Sequence, residues 1–296
     1  MTPTPVTLPR PSRRRRLAAW LHARPRLRLG GLLFAPIAWL GVLYLGSLLL
    51  LLLNALWTRD AFSGATIYEP TLANFAKLFA EPYPGIALRT VAMAVAVTLT
   101  CAVIAFPIAF YMARVASRRV RGLLVVAILM PLWASYLVKI YSWRVILAEE
   151  GILNVVLEPF GLRGPGYGDV AVWLAFTYLW LPYMVLPVFA GLERIPSSLL
   201  EASADLGGRS WVTFRRVILP LTLPAVVAGS IFTFSLTLGD YIVPTQLSTT
   251  IFIGNAIYQN FGGGNFPLAA ALTILPLTVI LVYLLIARRM GAFEAL

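Results

Sequence analysis

Long apolar stretches broken by short charged punctuation dominate the chain. The intervals between charges carry the information, because a helix crossing about 30 Å of hydrocarbon needs roughly 20 apolar residues. Six uncharged stretches are long enough to consider: between Arg28 and Arg59, Arg89 and Arg114, Arg121 and Lys139, Asp169 and Glu193, Arg216 and Asp240, and Asp240 and Arg288. The third is short, so its helix is expected to continue past Lys139 toward Leu147, with Lys139 and Arg144 snorkelling to the interface or facing a polar cavity. The last is too long for one helix. Its first half, "TQLSTTIFIGNAIYQNFGGGNF", is rich in Thr, Asn, Gln and Gly and reads as an external loop, which leaves a helix from Pro267 to Ile286.

Composition supports an all-α membrane protein with six transmembrane helices. The chain is 59% hydrophobic and 12% charged, with a mean hydropathy of +0.83, where globular chains carry about 25% charged residues. Of its 24 Lys and Arg, 18 precede helix 1, lie between helices 2 and 3 or 4 and 5, or follow helix 6. The positive-inside rule keeps those segments on the cytoplasmic side, so both termini are expected there. Asp60, Glu69, Glu81, Glu149, Glu150, Glu158 and Asp169 fall on the other side. The net charge of +12 therefore registers topology, and no nucleic-acid partner is expected, since the basic residues form no folded face.

Three segments follow from this layout. Residues 1–28, opening "MTPTPVTLPRPSRRRRLAAW", form a basic tail expected to be disordered, with Trp20 and Leu21 able to lie on anionic lipid. The apolar run after it is too long for a signal core, so it is expected to stay as helix 1. Residues 29–290 make the six-helix domain, with a polar internal loop over 193–224, and 291–296 form a second cytoplasmic tail.

Chemistry is narrowed by what is missing. A phosphate-binding P-loop needs Gly before its Lys, and the two lysines, Lys77 and Lys139, follow Ala and Val. One Cys, Cys101 within helix 2, and one His, His22 in the tail, allow no structural zinc site, Cys-His nucleophile or disulfide within the chain. Cys101 reads as packing. No buried pair of acids suggests hydrolysis, so neither catalysis nor a bound metal or cofactor is expected. Transport or a structural role remains, and an ATP-independent channel or carrier stays open beside an ATP-driven one.

The internal loop "IPSSLLEASADLGGRSWVTFRRVILPLTLP" has helix punctuation. Ser198 and Glu201 have capping-box spacing, and Gly207 and Gly208 end the segment. Leu199, Ala202, Ser203 and Leu206 share one face, with Glu201 and Asp205 directed elsewhere. Ser210 is placed to cap a second helix in which Trp211, Phe214, Val217 and Ile218 share a face, and Pro220 and Pro224 are expected to close it before helix 5. Two short amphipathic helices at a tight turn fit either a docking surface for a soluble partner or an ordinary interfacial loop.

Glu201, Ala202, Gly207, Leu219 and Pro220 resemble the EAA loop of ABC-importer permeases, with Ser203 in place of the second Ala and Val217 in place of the Ile. The stretches "TLANFAKLF", "WLPYMVLPVFAGLERIPSSLLEASADLG", "FTFSLTLGDYIVP" and "GGGNFPLAAAL" resemble the spermidine/putrescine permease subgroup, first permease type. The resemblance implies a type I importer fold in the bacterial inner membrane, with helices 2 to 5 lining the pathway and helix 1 wrapping outside. It also implies two ATP-binding subunits that bind ATP and Mg, a second permease subunit and an external solute-binding protein. The loop would be the coupling helix: Glu201, Ala202, Ser203, Asp205, Leu206 and Gly207 in the helix and turn, Arg215, Arg216, Leu219 and Pro220 in the connection. Gly207 is the expected pivot. Glu201 is expected to cap the helix or to pair with Arg215 or Arg216.

For the pathway, an ionisable residue at the end of a span is functional by default, which singles out Asp240 in "LGDYIVP". Tyr136, Trp180, Tyr183 and Tyr241 supply rings for cation–π contact with a cationic solute, although such rings also mark membrane interfaces. Other small organic solutes and ferric iron remain open as cargo.

Overall fold

The computed structural model describes residues 25–60 and 62–291, so Trp20, Leu21, His22 and the segment from residue 292 lie outside the described residues. The chain forms two units, one up to Leu53 and one from Asn54 onward. The first holds α1 (Pro25–Trp39), a π-helical stretch over Leu40–Leu45 and the start of α2 (Gly46–Asn54). Its candidate span, Leu29–Asn54, has 26 residues, and at 1.5 Å per residue it is about 39 Å long, enough to cross a bilayer with some tilt. Leu32, Phe34 and Tyr44 are exposed along it, as suits a surface solvated by lipid.

The second unit opens with a hairpin of β1 (Thr58–Arg59) and β2 (Thr66–Ile67), the one sheet among the described residues. Helix α3 (Ala73–Leu78) precedes α4 (Tyr83–Phe110), which runs on through a π-helical turn to Val115. Next come α5 (Arg118–Trp133), α6 (Tyr136–Leu147), α7 (Ile152–Leu157) and α8 (Asp169–Glu193). The polar loop contains α9 (Ser197–Asp205) and α10 (Ser210–Thr213), and a π-helical turn over Phe214–Ile218 leads into α11 (Leu219–Gly239). Helices α12 (Ile242–Leu247), α13 (Ile253–Gly262), α14 (Phe266–Leu272) and α15 (Ile274–Arg289) complete it. Among the described residues, five helices are long and apolar enough to span a membrane, and a sixth span arises if α5 and α6 are counted together.

Helices α4, α8 and α11 pack on one another, around buried Cys101, Phe176, Met184 and Val188. With lipid on the outside, helix association relies on close packing. A Cβ on Gly191 would stand 2.5 Å from Ala225 Cβ, and one on Gly229 would stand 2.9 Å from Met184 Sδ. These two glycines let α8 and α11 approach. Cys101 is fully buried with its Sγ 3.6 Å from the Thr177 carbonyl, in keeping with a packing role.

Three expectations need correction. The third span is not one helix: α5 and α6 meet at 94°, because Ala134 and Ser135 take extended conformations. Pro220 and Pro224 do not separate the polar loop from helix 5, since Ser210–Gly239 is one continuous candidate span of 30 residues. The π-helical register before Pro220 rearranges the hydrogen bonds where a proline lacks its N–H. The Thr- and Asn-rich segment is no irregular loop. It folds into α13 and parts of its neighbours because Asn255 works internally, donating to the Tyr241 carbonyl (3.0 Å) and Thr245 Oγ1 (2.7 Å) and accepting from the Phe252 N–H (3.2 Å). Helix 6 is accordingly longer than expected, covering Phe266–Arg289.

Candidate functional site

The polar loop is built on a clamp of two arginines. Arg114 Nη2 donates to the carbonyls of Leu192 (2.6 Å), in the last turn of α8, and Ile195 (2.7 Å), just beyond it. Arg121 Nε and Nη2 donate to the Met112 and Ala113 carbonyls, and its Nη1 reaches Glu193 Oε1 at 2.7 Å. The ends of α4, α5 and α8 are thereby tied together immediately before α9. In the sequence these arginines registered only as topology signals, and nothing in their spacing announced the clamp.

Helix α9 has no buried residue. It begins at Ser197, with Pro196 in the cap position and no side-chain cap. The expected capping box is therefore absent: Ser198 and Glu201 both lie inside the helix, where the serine hydroxyl is past the free amides it would cap. The Glu201 side chain has no hydrogen bond or ion pair among the described residues, so its expected pairing with Arg215 or Arg216 is not formed. Its carboxylate and those two guanidinium groups remain exposed.

The C-terminal turn of α9 is tightly specified. Gly207 has φ +75°, its N–H donates to the Ala204 carbonyl (2.9 Å), and the Gly208 N–H donates to the Ser203 carbonyl (2.8 Å). This is the paired hydrogen-bond pattern of a Schellman cap, with glycine in the left-handed position. A Cβ on Gly207 would meet nothing within 4 Å, whereas one on Gly208 would lie 2.6 Å from both the carbonyl oxygen and Oγ of Ser203. Ser203 Oγ also shares a 2.8 Å hydrogen bond with Thr213 Oγ1, which joins α9 to α10. Gly208 and Thr213 are structural members of the turn that the motif spacing did not single out.

Beyond the turn, Arg209 and not Ser210 occupies the cap position of α10, and no side chain caps it. Only part of the expected apolar face packs: Phe214 meets Phe106 edge-on with centroids 5.4 Å apart, and Ile218 is buried. Trp211 stacks on Phe214 at 5.3 Å yet stays 67% exposed. Leu206 is 89% exposed and Leu199 43%. Leu206, Leu199 and Trp211 are thus three large apolar groups that the rest of the chain leaves uncovered, next to a base held by Arg114 and Arg121. Asp205 and Ala202 are exposed on the same helix, and Leu219 and Pro220 follow the π-helical turn, exposed as well.

The second cluster forms where α11 ends. The Tyr136 hydroxyl donates to Asp240 Oδ2, and the Val243 N–H donates to Asp240 Oδ1 at 3.0 Å. The extended pair Ala134 and Ser135 is what turns α6 across, so that Tyr136 at its start reaches the end of α11. From Tyr136 a row of rings continues to Trp180 (6.0 Å), then Tyr183 (6.0 Å) and Phe232 (6.2 Å). Four expected pathway residues, Asp240, Tyr136, Trp180 and Tyr183, are thus brought together. Tyr241 is not among them, because its ring stacks on Tyr258 at 4.4 Å. Trp180 Nε1 is buried with no hydrogen-bond partner among the described residues. Lys139, one turn along α6, holds its Nζ 6.0 Å from the Tyr136 ring centroid, and Arg144 Nη1 donates to Gln246 Oε1 at 2.6 Å.

The family described as "Binding-protein-dependent transport system inner membrane component" matches residues 105–292. The chain is 45% identical to the inner membrane ABC transporter permease protein YdcU of Escherichia coli (strain K12), over 95% of each chain. It is 32% identical to the spermidine/putrescine transport system permease protein PotB of Haemophilus influenzae, over 84% of this chain and 88% of the relative. Among solved structures, a bacterial alginate ABC transporter in complex with an alginate pentasaccharide-bound periplasmic protein superposes with a TM-score of 0.74 at 18% identity, covering 93% of this chain and 98% of that one. The MetNI methionine ABC transporter superposes with a TM-score of 0.54 at 19% identity, covering 74% and 100%.

Proposed function

Because the chain belongs to the family of binding-protein-dependent transport system inner membrane components, and is thus a multi-pass permease subunit of an ABC importer, we propose that it carries a cationic amine of the spermidine and putrescine class by alternating access. The printed function of PotB supports the solute class, and the pairing of Asp240 with a row of aromatic rings suits it chemically. ATP hydrolysis resides on a separate subunit type in this family. In this reading two such subunits bind ATP and Mg, a second and different permease chain completes the pore, and a solute-binding protein delivers cargo from outside. Both termini face the cytoplasm, with residues 29–290 as the permease domain between the tails 1–28 and 291–296.

The observation that carries the coupling role is the exposed, glycine-terminated helix α9 on its arginine clamp. Glu201, Ala202, Ser203, Asp205, Leu206 and Gly207 form the docking helix and turn. Arg215, Arg216, Leu219 and Pro220 lie on the connection that passes rigid-body motion into α11. Asp240, Tyr136, Trp180 and Tyr183 line the solute pathway, and Tyr241 supports it from the Tyr258 stack. Uptake by the reconstituted importer tests both parts. Spermidine and putrescine are expected to compete for uptake while neutral and anionic solutes do not, and a preference for anions overturns the solute class. Leu206→Glu, at an exposed position, is expected to abolish substrate-stimulated ATP hydrolysis without loss of folded permease. Unchanged stimulation in that variant removes the docking role.

A further inference from the structure

Resting on the cationic-amine reading above, we infer that Lys139 is a tethered stand-in for the substrate's ammonium group and sets how many positive charges the site accepts. Lys139 lies three residues after Tyr136 on α6, so the two share a helix face. Its Nζ sits 6.0 Å from the Tyr136 ring centroid, within the range at which an aromatic face attracts a cation. The hydroxyl of that same ring donates to Asp240. A primary ammonium thus already stands over one of the rings that would receive one from a solute.

The surroundings explain why it is not simply locked there. Asp240 accepts from the Tyr136 hydroxyl and the Val243 N–H but forms no ion pair among the described residues. Lys139 therefore has an aromatic partner and no carboxylate, and Asp240 has hydrogen bonds and no cation. A lysine ammonium is a compact point charge on a flexible stem, able to swing aside when a solute ammonium arrives. Having moved, it still repels every further positive charge on that solute. With Asp240 contributing one negative charge and Lys139 one positive charge, the site discriminates against amines of higher valence.

The test uses the complete importer in proteoliposomes at saturating concentrations of its binding protein loaded with spermidine or with putrescine, so that turnover reports the permease. Lys139→Met keeps the apolar stem and removes the charge, and it is expected to raise the spermidine-to-putrescine turnover ratio about tenfold, the effect of one charge held about 12 Å from the additional ammonium of spermidine at an effective dielectric of about 20. Lys139→Arg keeps the charge and is expected to leave the ratio at the wild-type value. Lys139→Gln serves as the second neutral variant should the methionine complex fail to assemble. A ratio unchanged in the neutral variants, with both rates scaled together, means a packing role and overturns the inference. Absence of uptake for both amines by the wild-type importer overturns the cationic-amine reading instead.

Discussion

Two adjacent glycines close α9, and the structure ranks them differently from the motif. Gly207→Ala puts a side chain into open space but onto a backbone at φ +75°, a conformation that costs an L-residue about 1–2 kcal/mol. Gly208→Ala keeps an ordinary backbone but drives its Cβ to 2.6 Å from the Ser203 carbonyl oxygen and Oγ. Relief requires giving up the Gly208 N–H bond to that carbonyl and the Ser203–Thr213 bond. At about 0.5–1.5 kcal/mol per hydrogen bond, plus exposure or strain of the turn, the total comes to about 2–4 kcal/mol. The second glycine is therefore the more demanding, although the first is the one the motif counts. Uptake and substrate-stimulated ATP hydrolysis of the reconstituted importer should fall more in Gly208→Ala than in Gly207→Ala. Gly207→Asn should fall between Gly207→Ala and the wild type, because Asn tolerates the left-handed region. Greater damage from Gly207→Ala than from Gly208→Ala would falsify the assignment of Gly208 as the tightly packed member of the turn.

Other expectations test the remaining parts. Arg114→Met removes two charge-assisted hydrogen bonds to the end of α8 and should cost about 2–4 kcal/mol of stability, read as a lowered melting temperature in detergent, with Arg114→Lys recovering only part of it because an ammonium lacks the planar fork. Asp240→Asn retains an acceptor for the Val243 N–H but loses the charge, so uptake of a cationic amine should drop by about tenfold or more at unchanged complex yield; full uptake in that variant removes Asp240 from the pathway. At the hairpin, the backbone N–H of Ser63, then the Ser63 hydroxyl and the Phe62 N–H, hold the Asp60 carboxyl below the ordinary aspartate range. The turn's contribution is thus present above that range and lost as pH falls through the lowered value. Protection of the Phe62 and Ser63 amides, their exchange rate set against that of a free chain at the same pH, should be lost only there, and its absence already at neutral pH contradicts the assignment.

The spans were legible because the bilayer imposes a length, and charges at Arg89, Arg114, Asp169 and Glu193 bracket apolar runs of that length. The bend at Ala134 and Ser135 was not. Pro131 stands just before it, but Pro107, Pro182 and Pro187 sit inside unbroken helices, so proline alone does not locate a break in a membrane helix. The polar stretch around Asn255 was misjudged because composition reports how polar a residue is and not where its partner lies. Its amide is satisfied by Tyr241, Thr245 and Phe252 within the same segment. In the coupling loop, spacing identified the helix, its turn and Gly207, since a left-handed terminus demands glycine. The clamp by Arg114 and Arg121 joins residues more than 70 positions apart, and no local pattern encodes such a contact. Asp240 was legible as a rare charge among apolar residues, whereas its tie to Tyr136 depended on the bend.

In the proposed importer, α9 and its turn seat in a groove of the ATP-binding subunit. Cys101 is the sole cysteine and is fully buried, so Leu206→Cys introduces the one accessible thiol on the structured permease. The direct measurement is the rate at which that thiol reacts with a maleimide, with and without the ATP-binding subunits. Docking predicts strong protection in the assembled importer and rapid labelling of the permease alone. Equal rates in the two states contradict docking.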